Sequence, residues 1–208
     1  MVFIKQICNS VFQSDTYLLF HKDFPFCWAV DCGDVIPFLK LIREQKKALK
    51  GIFITHTHFD HIYGLNEVME EFPDCIVYTS AHGKEGLYSD KLNFSRYHGT
   101  SFLFQYKNIQ ILKEGDEIDL FPAVKMEVWE TPGHDWSCLT YKMGDLLFTG
   151  DSYIPGLKVV ASFPRSDKRQ AGESVTRILR ASECCYIYPG HGEVSPLKRQ
   201  ENAMKING

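Results

Sequence analysis

Four side chains able to ligate a metal fall within His56-Thr57-His58-Phe59-Asp60-His61. Histidine makes up only 8 of 208 residues, so this clustering is not a matter of composition. Imidazole nitrogen and carboxylate oxygen are donors that zinc and similar divalent ions accept. An apolar run, Gly51-Ile52-Phe53-Ile54-Thr55, precedes the cluster and reads as a strand. In extended backbone, side chains two residues apart share a side. His56, His58 and Asp60 are therefore expected to face one pocket, with His61 entering from the start of the following helix.

Three further segments have the same form. Met126 to Thr131 leads to Pro132-Gly133-His134, Leu146 to Thr149 leads to Gly150-Asp151, and Cys185 to Tyr188 leads to Pro189-Gly190-His191. Each is a β-type run, then a glycine, then a ligand-type residue. Glycine permits a sharp exit and a close backbone approach, and α/β architectures build sites at strand exits. A lone histidine is usually a hydrogen-bonded structural residue, and a lone Gly-Asp is usually a turn. Four strand exits ending alike reverse that reading. Together they offer His56, His58, Asp60, His61, His134, Asp151 and His191. Seven groups exceed the needs of one tetrahedral zinc and suit two metals sharing a bridging carboxylate.

The elements that must position these residues alternate in type. Val2–Cys8, Thr16–Phe20 and Phe26–Val30 read as strands. Val35, Phe38, Leu39, Ile42 and Leu49 recur at near-helical spacing, with Lys40, Arg43, Glu44 and Lys46 on the opposite face. A helix is expected around Ile62–Phe72 and a strand at Cys75–Tyr78. Residues 80–108 read as a short helix followed by an irregular loop. Strands are expected at 110–113, 125–131, 138–143, 146–149 and 184–188, and a helix at 167–181. The alternation argues for an α/β layered fold, and the whole chain, 1–208, is read as one domain.

Composition narrows the function classes. Hydrophobic residues are 44% and charged residues 24%, globular values that argue against disorder. The net charge of −3 gives no global field for nucleic acid or anionic membrane. No apolar run reaches the roughly 18 residues of a membrane span, and the first residues lack a signal-peptide layout. The seven cysteines include one adjacent pair and no Cys-x-x-Cys. They read as small apolar residues in a reducing cytoplasm. There is no Gly-x-Ser-x-Gly nucleophile setting and no glycine-rich phosphate loop.

His-x-His-x-Asp-His, then Gly-His, Gly-Asp and Pro-Gly-His-Gly, in that order, resembles the metallo-β-lactamase superfamily, and within it the glyoxalase II-like hydrolases. The resemblance covers nearly the whole chain. Val30-Asp31-Cys32-Gly33 matches the strand-Asp-x-Gly segment before the first helix, and Leu92-Asn93-Phe94-Ser95 resembles the Asn-Leu-Ser stretch of small members. The implied fold is a four-layer αβ/βα sandwich: two mixed sheets face to face with helices on the outer faces. The resemblance assigns His56, His58 and His134 to one metal, Asp60, His61 and His191 to a second, and Asp151 to the bridge. The implied cofactors are two divalent ions, zinc first, with manganese or iron as alternatives. Such a pair brings a water's pKa toward about 7 and supplies a hydroxide nucleophile. Asp60 would orient the nucleophile and carry a proton toward the leaving group.

The sequence also departs from that family. Full-length glyoxalase II has a C-terminal helical region for the glutathione part of its substrate. This chain stops soon after His191, so glutathione specificity is not expected. Ser152 to Lys158 differs from the usual glyoxalase pattern. Asp15-Thr16-Tyr17 stands where relatives often have Asn-x-Tyr, and is read as local turn chemistry. His82, His98, Tyr88, Phe94, Tyr97, Phe102 and Phe104 lie in the segment that would overhang the pocket, although packing or surface roles are the simpler reading of each. Arg165, Lys168 and Arg169 could meet an anionic substrate group, but a solvated loop ahead of a helix is preferred. Lys198, Arg199 and Lys205 are read as solvated.

The expected activity is therefore cleavage of a small thioester by a cytoplasmic dinuclear metal hydrolase, then of a lactone or other ester. Its partner is a small-molecule substrate, with no nucleic acid and no membrane, and the oligomeric state is left open. A β-lactam role ranks lower because no targeting sequence is visible. Phosphodiester cleavage ranks lower because no basic stripe is evident. A mononuclear iron sulfur dioxygenase and a metal-dependent sensor complete the rivals.

Overall fold

The computed structural model describes residues 1–181 and 185–196. Among these, β1 (Val2–Cys8), β2 (Asp15–His21), β3 (Phe26–Val30), β4 (Ala48–Phe53), β5 (Ile76–Thr79) and β6 (Ile109–Ile111) form one sheet in that order. The second sheet contains β7 (Glu117–Phe121), β8 (Val124–Glu130), β9 (Leu139–Met143), β10 (Leu146–Gly150), β11 (Tyr186–Pro189) and β12 (Ser195–Pro196). Its spatial order is β12-β11-β10-β9-β8-β7. Both sheets are mixed: β3 to β6 pair in parallel, as do β10 and β11, and the other pairings are antiparallel. The helices are α1 (Val35–Gln45), α2 (Leu65–Glu71), α3 (Ala81–Leu87) and α4 (Lys168–Arg180).

Strand alternation produces the layers. Leu18, Ala29, Ile52 and Val77 face outward and meet Phe38 and Ile42 of α1, Leu65 and Val68 of α2, and Leu87 of α3. Their neighbours Leu19, Trp28, Phe53 and Tyr78 face the other way, against Leu120, Met126, Val128, Tyr141 and Phe148 of the second sheet. On that sheet's far side, Leu147 and Ile187 pack on Ile178 of α4. Helices, sheet, sheet and helix thus stack as the expected four-layer sandwich.

The topology also decides where the strands end. β8 and β10 are both antiparallel to β9, and β11 is parallel to β10. So β8, β10 and β11 run in one direction and finish at one edge. The first sheet is tied to that edge where the Leu139 amide, at the start of β9, donates to the Thr55 carbonyl at 2.7 Å. Tyr141 Oη donates to the Ile54 carbonyl at 2.8 Å.

Several elements differ from the sequence expectation. α1 stops at Gln45 because Lys46 turns left-handed at φ 53°, returning its amide to Arg43 and Ile42. Leu49 therefore belongs to β4, which begins at Ala48 and ends at Phe53 rather than spanning 51–55. The helix expected from Ile62 begins at Leu65, after a 3-10 turn at Phe59–His61. Strands β7 and β12 were not expected. β7 reads Glu-Ile-Asp-Leu-Phe, with charges on the outward positions of an edge strand. Cys184, at the start of the last predicted strand, lies outside the described residues, as do Lys198, Arg199 and Lys205. Cys27, Cys32, Cys75 and Cys138 are buried and Cys8 is exposed. No helix among the described residues is long and apolar enough to cross a membrane.

Candidate metal centre

The shared edge collects ligand-type side chains from four strand exits. His56 and His58 follow β4, His134 follows β8, Asp151 follows β10 and His191 follows β11. Asp60 and His61 sit in the 3-10 turn, not on extended chain, so this turn and not strand alternation brings Asp60 into the pocket with His56 and His58. Ser14 Oγ donates to the Asp60 carbonyl at 2.7 Å and helps fix that turn.

The seven side chains form overlapping groups whose potential ligand atoms lie within 4.8 Å of one another: His56, His58 and His134; His56, His61 and Asp151; and Asp60, His61 and His191. Asp151 stands between them. Its Oδ2 is 3.4 Å from His134 Nε2. Its Oδ1 is 3.7 Å from His61 Nε2 and 3.5 Å from His191 Nε2. Asp60 Oδ2 lies 3.4 Å from His61 Nε2 and 3.3 Å from His191 Nε2. One carboxylate thus addresses both ends of the cluster with different oxygens, while the other serves one end.

Glycine makes this approach possible. A Cβ on Gly190 would lie 2.1 Å from Asp151 Oδ1 and 3.0 Å from His61 Cε1. Gly133 has φ +136°, and a Cβ there would meet the Ala171 backbone nitrogen of α4 at 2.2 Å. Both positions need a residue without a side chain.

Hydrogen bonds orient four of the five histidines from behind. His61 Nδ1 donates to Asp31 Oδ2 at 2.9 Å. His134 Nδ1 donates to the Val160 carbonyl at 2.7 Å, and His191 Nδ1 to the Phe12 carbonyl at 3.1 Å. His56 Nδ1 lies 3.2 Å from Thr55 Oγ1. These contacts leave the Nε2 atoms of the four rings toward the cluster. His58 is reversed: its Nδ1 faces His134 Nε2 at 2.9 Å.

The chemistry of the pocket fits cations. His56 Nε2, His61 Nε2 and Asp151 Oδ1 are buried and have no hydrogen-bond partner among the described residues. Each such atom costs about 1–3 kcal/mol if left unpaired, and an ion at the cluster supplies what it lacks. Burial lowers the pKa of His56 well below the usual histidine value and takes His58 to about 4, so both are neutral donors. Burial opposes ionisation of Asp60 and Asp151, but His61 and His191 hold both carboxyls below the usual range.

The segment around the pocket behaves unevenly. Phe94 lies 4.9 Å from the His58 ring, with φ 64°, and Phe163 lies 5.2 Å from His58 and 5.6 Å from His134. Phe102 and Phe104 are buried in the helix-side core. His98 stacks on Phe59, and His82 packs against Trp136. Arg165, read as part of a solvated loop, is buried at 6% exposure, whereas Lys168 is exposed at the start of α4. Asp15-Thr16-Tyr17 is not local turn chemistry. The Asp15 amide donates to the Gly190 carbonyl at 2.7 Å and Tyr17 Oη to the Pro189 carbonyl at 2.8 Å, which anchors the loop carrying His191.

The sequence reading gave no role to Asp31, Thr55 or Asp135. Asp31 stands at φ 58°, a conformation that aspartate tolerates better than most residues. Its carboxylate accepts from the Thr55 amide at 2.8 Å, from Thr55 Oγ1 at 2.7 Å and from His61. An aspartate closing an apolar strand was the available signal, but its partners are distant in sequence.

The family model of the metallo-beta-lactamase superfamily matches residues 12–191. A hydroxyacylglutathione hydrolase of Tolumonas auensis is 27% identical over 181 residues, covering 86% of this chain and 62% of its own. The chain thus spans less than two thirds of that relative. The crystal structure of BLEG-1 B3 metallo-beta-lactamase superposes with a TM-score of 0.86 at 23% identity, over 95% of both chains. That of TTHA1623 in a di-iron-bound form gives 0.79 at 23% identity, over 93% of this chain and 94% of the other. These two share the fold. With the family match running from before β2 to the last histidine of the cluster, the chain belongs to the metallo-beta-lactamase superfamily.

Proposed function

We propose that this chain is a dinuclear metal-dependent hydrolase of small acyl thioesters, with lactones and other esters next in order. The observation that carries the reading is the convergence of seven ligand-type side chains in two end groups, with Asp151 facing both. His56, His58 and His134 would hold one ion, Asp60, His61 and His191 the other, and Asp151 would contact both. Zinc is the first candidate, with manganese and iron compatible with the same donors. Divalent ions in such a site polarise a carbonyl oxygen and lower the pKa of water.

The chain's own residues supply position and proton handling. Asp60 keeps 11% side-chain exposure beside His61 and His191, so its carboxylate can orient water and relay a proton to the departing thiolate. Phe94 and Phe163 cover His58 and shield the cluster from bulk water. A small cavity lined by His134, Asp151, Ile154, Leu157, Lys158 and Val160 adjoins it, a mostly apolar wall suited to a short acyl group. Overall, water adds across the carbonyl–sulfur bond to give a carboxylic acid and a thiol. The name of the Tolumonas relative places S-acyl glutathione among the substrates to test.

The test is metal analysis of protein purified without chelator, paired with rates on acyl thioesters, S-acyl glutathione, lactones and a bis-aryl phosphodiester. Two metal equivalents and chelator-sensitive thioester turnover are expected. Full turnover after metal removal, or activity confined to the phosphodiester, would refute the reading.

A further inference from the structure

Of the five clustered histidines, His58 alone has an outer ring nitrogen with no hydrogen-bond partner among the described residues. His56, His61, His134 and His191 each direct theirs to Thr55, Asp31, Val160 and Phe12. His58 Nε2 is buried and unpaired. At 3.9 Å from it lies Asp135 Oδ2, also buried and unpaired.

Asp135 is built into its place. The residue is 1% exposed. Its other oxygen, Oδ1, accepts from the Ser137 amide at 2.8 Å and from Ser137 Oγ at 2.5 Å. These bonds fix the carboxylate plane and leave Oδ2 aimed at the gap between His58 and Arg165. Arg165 Nε stands 3.5 Å from Oδ2. The guanidinium is anchored by donation from Nη2 to the His82 carbonyl at 3.2 Å and lies 5.6 Å over the Trp136 ring. An isolated buried carboxylate would be costly. Arg165 supplies the opposite charge beside this carboxyl group.

We propose that Asp135, held by Arg165, is a positioning residue that accepts the Nε2 proton of His58 and so presents the Nδ1 lone pair to the ion. This rests on the metal-centre reading above. The physical need is tautomer control. A neutral imidazole carries one proton, and an outer acceptor decides which nitrogen carries it. The other clustered rings have carbonyl, carboxylate or hydroxyl acceptors for this purpose, and Asp135 is the acceptor available to the reversed one. A shift of under about 1 Å brings the pair to hydrogen-bonding distance. Outer partners of this kind are worth roughly 10–100-fold in metal affinity.

The experiment compares zinc binding to the wild-type chain and to Asp135→Asn by chelator competition. Asparagine keeps an oxygen for Ser137 but removes the charge. The affinity of one of the two zinc equivalents should fall about 10–100-fold while the other is retained. Unchanged affinity at both sites, or equal loss at both, overturns the proposal. Should the variant fail to fold, the zinc-loaded wild-type protein still decides. Its long-range ¹H–¹⁵N imidazole spectrum should show His58 protonated at Nε2, with that proton shifted downfield and slow to exchange with solvent. A proton on Nδ1, or rapid exchange at Nε2, overturns the proposal. A wild-type chain that binds no zinc, manganese or iron would instead overturn the metal-centre reading itself.

Discussion

His61 Nδ1 donates to Asp31 Oδ2 across 2.9 Å, joining a residue at the end of β3 to one in the 3-10 turn after β4. Asp31 also accepts twice from Thr55. A single buried carboxylate therefore sets both the ring orientation of His61 and the path of the chain into the ligand cluster.

Asp31→Ala leaves the Thr55 donors and the His61 Nδ1–H without their acceptor. Unpaired buried donors cost about 1–3 kcal/mol each. Urea unfolding of the metal-free variant should show a loss of at least about 2 kcal/mol, with a 10–100-fold drop in metal affinity. Parental metal affinity in a folded variant would contradict the orienting role.

Gly190→Ala places a methyl group 2.1 Å from Asp151 Oδ1. Asp151 must move, since the other near atoms are the Gly150 backbone and the His61 ring. Misplacement of a reacting group by about 1 Å costs on the order of 100-fold in rate. Elemental analysis should show reduced metal content, and kcat/KM should fall by about that factor. A fully loaded, fully active variant would show that the close approach is not required.

The metal-free protein should be most stable near neutral pH. Burial opposes the charged forms of His61 and His191, yet the surrounding carboxylates raise them to about 9 and about 11. Their contribution is complete below the unfolded value of about 6.5 and is lost as pH climbs through the folded values. Burial lowers His56, and takes His58 to about 4. Below about 6.5 the unfolded chain therefore binds protons that these folded histidines refuse, and stability falls on acidification. Urea titrations of chelator-treated protein across about pH 5 to 9 should peak near pH 6.5. A steady rise or fall over that range would contradict the assignment.

Phe163→Ala removes a ring that is 38% exposed and packs over His58 and His134. Partial loss of apolar contact should raise KM for an acyl thioester about 3–10-fold while metal content stays unchanged. Equal loss of metal would mean that the ring supports the ligands rather than the substrate.

Much of this molecule was readable along the chain. The ligand-type residues follow apolar runs at four strand exits, three of them through a glycine, and that pattern is local, so it survives in one dimension. Layering was legible for the same reason, since alternate residues such as Leu18 and Leu19 must enter different cores. The end of α1 was not legible. Leu49 continues the helical spacing, and only the left-handed turn at Lys46 sends it into a strand.

By itself, then, the sequence determined which side chains could gather and that two sheets would carry them, because ligand type and apolar periodicity are properties of neighbouring residues. The grouping of Asp60 with His61 and His191, of His58 with His134, and of Asp151 between them was implied by the resemblance, whereas only the tertiary structure decided that His58 is reversed and that Asp31, Asp135 and Arg165 stand behind the ligands. Those relations join residues far apart in the chain. They are set by strand direction and by the desolvation of charges that must find one another once buried.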